Sequence, residues 1–366
     1  MKTWDVVIAG AGIVGVSLAR ELRKHGASVL VVERGEPGRE ASHAAAGMLA
    51  WCDPMLPHPL RWLAKASAAM HPEFAQEIED ESGMRVDLRT EGTIAYFPAP
   101  PTGEAAAFVA SGDWRVLTAD ELMRLEPRLE YSGEAAYLTP EGSVDPRALI
   151  AASVKAAKHR GVDIASGSAV TAVEIEGGRA VAACTAKTRY AAGKVVNCCG
   201  AWAGQVQPFS FPTRPVKGQM LCVVAERHGL VKHVVRAPDV YVVPRSDGRI
   251  LVGSTLEDAG FDKRVDPETI QRLHQAAASL VPELGESRML ETWAGLRPGT
   301  PDTLPLLGAT EVENYFVAAG HYRDGILLAP LTALVMSQVV RGLRPDFDLS
   351  AFSSARFASG TTAGKP

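Results

Sequence analysis

Gly10-Ala11-Gly12-Ile13-Val14-Gly15 is the spacing in this chain most able to do chemistry. In G-x-G-x-x-G the first glycine permits a tight turn and the second lets backbone N–H groups approach a pyrophosphate. The third lets a helix pack closely on a strand. The pattern has weight only between a strand and a helix, and both neighbours read that way. Asp5 to Ala9 is a run of apolar β-formers, and Val16, Leu18, Ala19 and Leu22 recur at helical spacing towards His25. Gly26 ends the helix, Ser28 to Glu33 reads as a second buried strand, and Glu33 stands where an acid accepts hydrogen bonds from ribose hydroxyls. The helix start adds partial positive charge for phosphates. A dinucleotide site on a βαβ unit follows, with a right-handed crossover and a parallel sheet. The plain alternative is a turn that binds nothing, with Glu33 a solvated strand end; strand, helix, strand and acid in one register weigh against it.

The elements that must position this turn are spread along the chain. Leu60 to Glu81 reads as a helix and Gly92 to Phe97 as a strand. Leu117 to Leu125 reads as a helix with Thr118 at its N-cap and Glu121 closing a capping box. Asp145-Pro146 opens another, with Leu149, Ile150, Val154 and Ala157 on one stripe and Gly161 at its end. Val162 to Ile164 and Lys194 to Asn197 then rejoin the parallel sheet. From Gln219 the pattern changes to short strands, Met220 to Val224, Val240 to Val243 and Ile250 to Val252, the last after a Ser246-Asp247-Gly248 turn. A helix from Pro267 to Leu280 follows. Gly320 to Gly325 is a second glycine turn, and Ile326 to Val340 the last long helix. These elements predict an α/β protein with an α+β insertion: a Rossmann-like domain from 1–85, 145–212 and 290–357, and an inserted, mostly antiparallel substrate domain from 86–144 and 213–289. The small polar tail 358–366 reads as disordered.

Composition removes several classes of function. A chain of 366 residues exceeds the usual single-core size. Lys plus Arg is 38 against 42 for Asp plus Glu, a net charge of −4 that makes no electrostatic case for nucleic acid or an anionic membrane surface. The apolar stretch Val6 to Ala19 is too short to span a bilayer and reads as fold rather than secretory signal, so a cytoplasmic location is expected. The five cysteines include no CxxC pair and read as reduced thiols, with adjacent Cys198 and Cys199 as strand filler. The histidines show no metal-ligand spacing such as HExxH, so no metal site is expected.

The glycine motif does not choose between FAD and NAD. The choice rests on Ala41-Ser42-His43-Ala44-Ala45-Ala46-Gly47-Met48-Leu49, whose small residues let backbone press against a large flat ring. With this stretch the chain resembles the FAD-dependent D-amino acid oxidase family, most closely its glycine oxidase branch. The matching pieces cover nearly the whole chain: the opening βαβ unit, Pro215-Val216-Lys217-Gly218-Gln219, Tyr241-Val242-Val243-Pro244-Arg245, Gly253-Ser254-Thr255, Trp293 through Thr300 (WAGLRPGT) and Gly320 through Pro330 (GHYRDGILLAP). One position departs from the family, which usually carries Asn where this chain has Asp324.

The resemblance implies non-covalent FAD, its isoalloxazine against Ala46, Gly47 and Met48. The pyrimidine end would face the turn of His321, Tyr322, Arg323, Asp324, Gly325, Ile326 and Leu327. Val170 would meet the adenine through its backbone, and Arg34, Ala41, Ser42 and Gly200 would complete the cradle. A helix starting near Gly325 offers donors and a positive dipole end to a reduced flavin. Covalent attachment through His43 is not expected, because three residues separate it from Gly47 where attached relatives have two, and Cys52 and Cys222 have no assigned place. The family uses no side-chain base: hydride passes from Cα to flavin N5, and orientation is the protein's task. Arg297, read here in a loop stiffened by Pro298, would clamp the carboxylate bidentately. Tyr241 would add a hydroxyl donor and Arg323 a second arginine. Their plainer readings are a surface ion pair, aromatic packing and a loop contact.

The activity implied is oxidation of glycine, sarcosine or a small D-amino acid by molecular oxygen, giving an imino and then keto acid, ammonia and hydrogen peroxide. A partner enzyme of thiazole synthesis would take the imino product, and a homo-oligomer is compatible with the resemblance. Three other readings remain. A dehydrogenase of the same fold would use a different acceptor. The flavin module of a tRNA-modifying enzyme would need a basic face. A nucleotide-binding protein without turnover would have no use for Arg297 and Tyr241.

Overall fold

The computed structural model describes residues 2–97, 101–130, 135–227 and 229–357. Five parallel strands form the centre of the first sheet, in the order Tyr315–Ala319, Arg189–Asn197, Thr3–Ala9, Val29–Glu33 and Asp163–Ser166. A hairpin, Val170–Glu176 with Arg179–Thr185, extends it antiparallel beside Arg189–Asn197, and Leu306–Ala309 lies antiparallel to Tyr315–Ala319. The central strands are apolar runs because both of their faces are covered. Val6 and Ile8 pack into one core with helices Ile13–Lys24, Arg61–Ser82, Pro146–His159 and Gly325–Val340, while Val7 and Ala9 pack on the hairpin side.

The second sheet runs Arg288–Gly299, Arg214–Val224, Arg249–Gly253, Tyr241–Pro244, Val234–Arg236, Thr93–Phe97, Ala135–Thr139, Arg115–Leu117. All its pairings are antiparallel except Val234–Arg236 with Thr93–Phe97. Alternation along these strands divides two environments. Leu221, Val223, Val242 and Val252 face the helix Pro267–Leu280. Met220, Tyr241, Val243 and Leu251 face the other way, onto Ala46 and Met48. A slip of one residue would therefore turn Tyr241 away from that side. A small sheet of Met48–Leu49, Gly142–Val144 and Leu88–Arg89 fastens the two units together.

Local signals hold at the helix starts. Thr118 and Glu121 form the reciprocal capping box, and Asp145 accepts from Arg147 N–H (2.9 Å) and Ala148 N–H (3.3 Å). Two readings need correction. Arg297 and Pro298 lie in the strand Arg288–Gly299, which pairs with 214–224, so residues 290–299 hydrogen-bond into the second sheet rather than the first. The strand is at the sheet edge, where a proline costs no ladder bond on its open side. Cys198 and Cys199 are not in a strand; they follow Asn197, where it ends, and Cys198 N–H donates to Ala9 carbonyl (2.8 Å). The helix Gly103–Ser111 and the hairpin 170–185 carried no reading from the sequence. The tail 358–366 lies outside the described residues.

Candidate active site

A cavity of about 930 Å³ is lined by residues of both sheets. Gly10, Gly12, Ile13, Val14, Glu33, Arg34, Ala41, Ser42, Ala46, Gly47, Met48, Val170, Gly200, Tyr241, Arg297 and the run His321 to Ile326 all reach it. Gly15 and Leu327 do not line it. Gly15 abuts the turn, where a Cβ would come 2.1 Å from the Gly10 carbonyl oxygen. Leu327 is buried in the helix core, and its carbonyl accepts from Ser67 Oγ (2.7 Å) and from His71 Nε2 (3.1 Å).

The glycine turn is held by the acid that follows it. Glu33 Oε2 accepts from Ala11 N–H (2.8 Å) and Oε1 from Gly35 N–H (3.1 Å), so Glu33 fixes the loop as well as facing the cavity. Ser42 Oγ accepts from Ile13 N–H (2.9 Å). The N-cap of helix Ile13–Lys24 is Gly12, with no side-chain cap, and the first turn carries no acid. An anion in the cavity can therefore meet the N–H groups and positive end of that helix. Further along, the Arg34 guanidinium stacks 3.4 Å from the Trp202 ring centroid and pairs with Glu40.

The stretch 44–47 is pinned from three sides. Trp293 Nε1 donates to Ala44 carbonyl (3.0 Å), Arg245 donates to Ala46 carbonyl, and Val144 N–H donates to Gly47 carbonyl (2.8 Å). Gly47 has φ 75°, and a Cβ there would sit 1.9 Å from Val144 carbonyl oxygen, so no other residue fits. Burial draws Arg245 down to about 10, which still leaves it charged near neutral pH.

Arg297 projects from its edge strand into the space left by Gly218, where a Cβ would come 2.3 Å from the guanidinium. Its Nη1 donates to Lys217 carbonyl (3.3 Å) and Thr255 carbonyl (3.1 Å), and its Nη2 to Ser254 Oγ (2.6 Å). Among the described residues it has no carboxylate partner within salt-bridge distance, unlike Arg236, Arg249 or Arg356. Tyr241 stands three strands away, and among the described residues its hydroxyl donates only to Met220 Sδ (3.6 Å). Arg323 is exposed, its guanidinium 5.2 Å from the Tyr322 ring centroid. Tyr322 has φ 49°, and its N–H donates to Pro298 carbonyl (2.9 Å), which ties this turn to the strand carrying Arg297. Asp324 is the N-cap of helix Gly325–Val340, and its side chain makes no cap bond. Burial, together with the charge of Asp53, pushes its carboxyl up to about 7 against the pull of Arg323. His321 is held down to about 4 by burial and contacts Thr332 Oγ1 through Nε2 (3.1 Å), so it is neutral.

A family model described as FAD dependent oxidoreductase matches residues 5–339. The chain belongs to this family. It is 36% identical to the glycine oxidase of Geobacillus kaustophilus, over 96% of this chain and 97% of that one. The crystal structure of glycine oxidase from Geobacillus kaustophilus has a TM-score of 0.91 and 34% identity, covering 97% of this chain and 99% of that one. The bifunctional protein ThiO/ThiG of Synechocystis sp. is 35% identical over 98% of this chain, which spans 55% of that protein's length.

FAD is the cofactor of this family. The residues present suit it: the uncapped glycine-led helix start for a pyrophosphate, buried Glu33 for a ribose, and bare backbone at 44–47 for a flat ring. His43 does not line the cavity and contacts Arg39 (2.9 Å), while Cys52 and Cys222 are buried away from it. Sequence reasoning did not assign Trp202, Arg245, Ser254 or Trp293. The last three lie inside segments that carried the resemblance, but their partners are distant in sequence, so no local pattern marks them. Among the described residues no cluster of His, Cys, Asp or Glu could hold a metal, and no helix is long and apolar enough to cross a membrane.

Proposed function

We propose that the chain oxidises glycine, sarcosine or a small D-amino acid at Cα, with molecular oxygen as final acceptor. The products are an imino acid, which hydrolyses to a keto acid and ammonia (methylamine from sarcosine), and hydrogen peroxide. One observation carries this reading: Arg297 points a guanidinium with no carboxylate partner among the described residues into the cavity that also receives the 44–48 stretch. A substrate carboxylate supplies the missing counter-charge, since a fork of N–H donors matches two carboxylate oxygens. Tyr241, whose hydroxyl has only a thioether partner among the described residues, adds a donor. Met48 and Met220 line the same space. Bound FAD supplies the two-electron acceptor for the Cα hydride. The chain's part is to fix the carboxylate and admit the amine in its neutral form, so that its lone pair becomes the C=N bond while the released proton goes to solvent. The cradle assigned from the sequence, Gly10 to Gly15 through Ile326, is proposed as the FAD site with flavin at 46–48 and adenine at Val170. Near-full-length similarity to a glycine oxidase supports the substrate class. A partner that consumes the imino acid accords with the similarity to one part of a bifunctional protein.

The test is spectroscopic. The purified protein should be yellow, acid or heat should release FAD, and glycine, sarcosine or D-alanine should bleach the flavin anaerobically. Air should then restore the colour with formation of peroxide. Bleaching followed by fast dye reduction and slow reaction with oxygen would make the chain a dehydrogenase. No bleaching by any amine would remove the amino acid class.

A further inference from the structure

We propose that Asp53, held against Arg236 in the cavity wall beside Tyr241, is a specificity-determining residue that turns away amine substrates carrying a second carboxylate. The proposal rests on the reading that Arg297 and Tyr241 hold the first one. Arg236 lies directly opposite Tyr241 in the antiparallel pairing of Val234–Arg236 with Tyr241–Pro244. Directly opposed residues leave a sheet on the same face, with Cβ atoms about 4.5–5.5 Å apart. Both line the cavity, so Arg236 and what it carries are polar neighbours of the tyrosine on that wall.

Arg236 is not free to act as a second clamp. Its Nη1 meets Asp53 Oδ2 at 2.9 Å and its Nη2 lies 2.8 Å from Glu141 Oε2, with the arginine side chain 12% exposed. Glu141 sits behind it, 1% exposed, its Oε1 accepting from Cys52 N–H (3.1 Å). Asp53 lies on the cavity side, lining it and 29% exposed, with Oδ1 accepting from Met55 N–H (2.8 Å). The guanidinium still has donor capacity, because its Nε has no hydrogen-bond partner among the described residues. Asp53 thus covers a buried cation and offers its own negative charge in its place. That charge is felt within the cavity, where, after burial, it helps push the Asp324 carboxyl up to about 7. Glycine, sarcosine and D-alanine bring no group to this wall. Iminodiacetate or D-aspartate would bring a carboxylate towards Asp53 and meet like-charge repulsion.

Asp53→Asn keeps the shape and the acceptor for Met55 N–H while removing the charge. Steady-state kcat/KM for iminodiacetate and D-aspartate, each divided by that for glycine, should rise about tenfold or more, the scale of one charge interaction in a partly desolvated site. In the wild-type holoenzyme, titration of the flavin spectrum should show malonate binding at least about tenfold more weakly than acetate, with the gap narrowed in Asp53→Asn. A variant that holds FAD and oxidises glycine with both ratios changed by less than about twofold overturns the proposal. Should the variant lose FAD, the wild-type titration decides alone: malonate binding as tightly as acetate overturns it. If acetate itself fails to perturb the flavin and no amine bleaches it, the carboxylate clamp falls, and this proposal with it.

Discussion

Replacing Arg297 by alanine tests the clamp most directly. Its guanidinium has five N–H donors in a fixed fork. Both Nη1 protons are taken by the Lys217 and Thr255 carbonyls and one Nη2 proton by Ser254 Oγ, which leaves Nε–H and one Nη2–H for a ligand. Two charge-assisted bonds at about 1.5 kcal/mol each would be lost, roughly a hundredfold in kcat/KM. The substrate carboxylate would also be left without a partner in a partly desolvated cavity, which raises the loss towards about 5 kcal/mol, or several thousandfold. Arg297→Lys should recover little, since an ammonium cannot reproduce the planar fork. FAD content should stay near normal, because no hydrogen bond of Arg297 reaches the 10–15 turn or the 44–47 stretch. The assay pairs kcat/KM for glycine with the dissociation constant of acetate from flavin spectral titration, both normalised to bound FAD. The two should worsen together. A variant that keeps its affinity for acetate, or loses turnover only in proportion to lost FAD, would show that Arg297 serves the sheet and not the substrate.

Three further outcomes follow from close contacts and charge. Gly218→Ala puts a methyl 2.3 Å from the Arg297 guanidinium, so it should raise KM for glycine by about tenfold or more while FAD binding persists; an unchanged KM would mean that the guanidinium has room to move. Gly47→Ala combines φ 75° with a 1.9 Å clash on Val144 carbonyl, and should cost more than about 2 kcal/mol in stability and empty the protein of FAD, as melts and the absorbance ratio would report. Asp324→Asn bears on pH. The Asp324 carboxyl is raised to about 7 when folded, so the stability it allows is complete below its ordinary range and is lost as pH climbs to about 7. The asparagine variant should gain on the wild type across that window, by at most about 1.4 kcal/mol per pH unit, and then keep a constant lead. Melting temperatures that run parallel at every pH would refute that reading.

What could be read from the sequence was local. The 10–15 turn needs only neighbours in the chain: an apolar strand before it, an amphipathic helix after it, and Glu33 closing the βαβ unit with bonds to Ala11 and Gly35. The starts of helices Ala119–Leu125 and Pro146–His159 were legible for the same reason, since the Thr118–Glu121 box and the Asp145 cap each lie within one turn. The Arg288–Gly299 strand was not. Its first five residues are exposed and its polar and apolar residues do not alternate, because an edge strand buries little and is defined by the partner 214–224. That partner lies some seventy residues earlier in the chain.

The sequence by itself determined the residue types: a guanidinium at 297, a phenol at 241, and bare backbone at 10–15 and 44–47. Only the tertiary structure decided that these meet. Arg297 finds its carbonyls at Lys217 and Thr255 because three strands from distant parts of the chain lie side by side there. Tyr241 faces the cavity because the register with Gly253 and Arg236 puts odd-numbered residues of its strand on that side. Asp53 reaches Arg236 across 183 positions of chain. The physical reason is common to all three. Helix caps and glycine turns are settled by bonds within a few residues, whereas strand register and cavity walls are settled by contacts whose closure requires the whole fold.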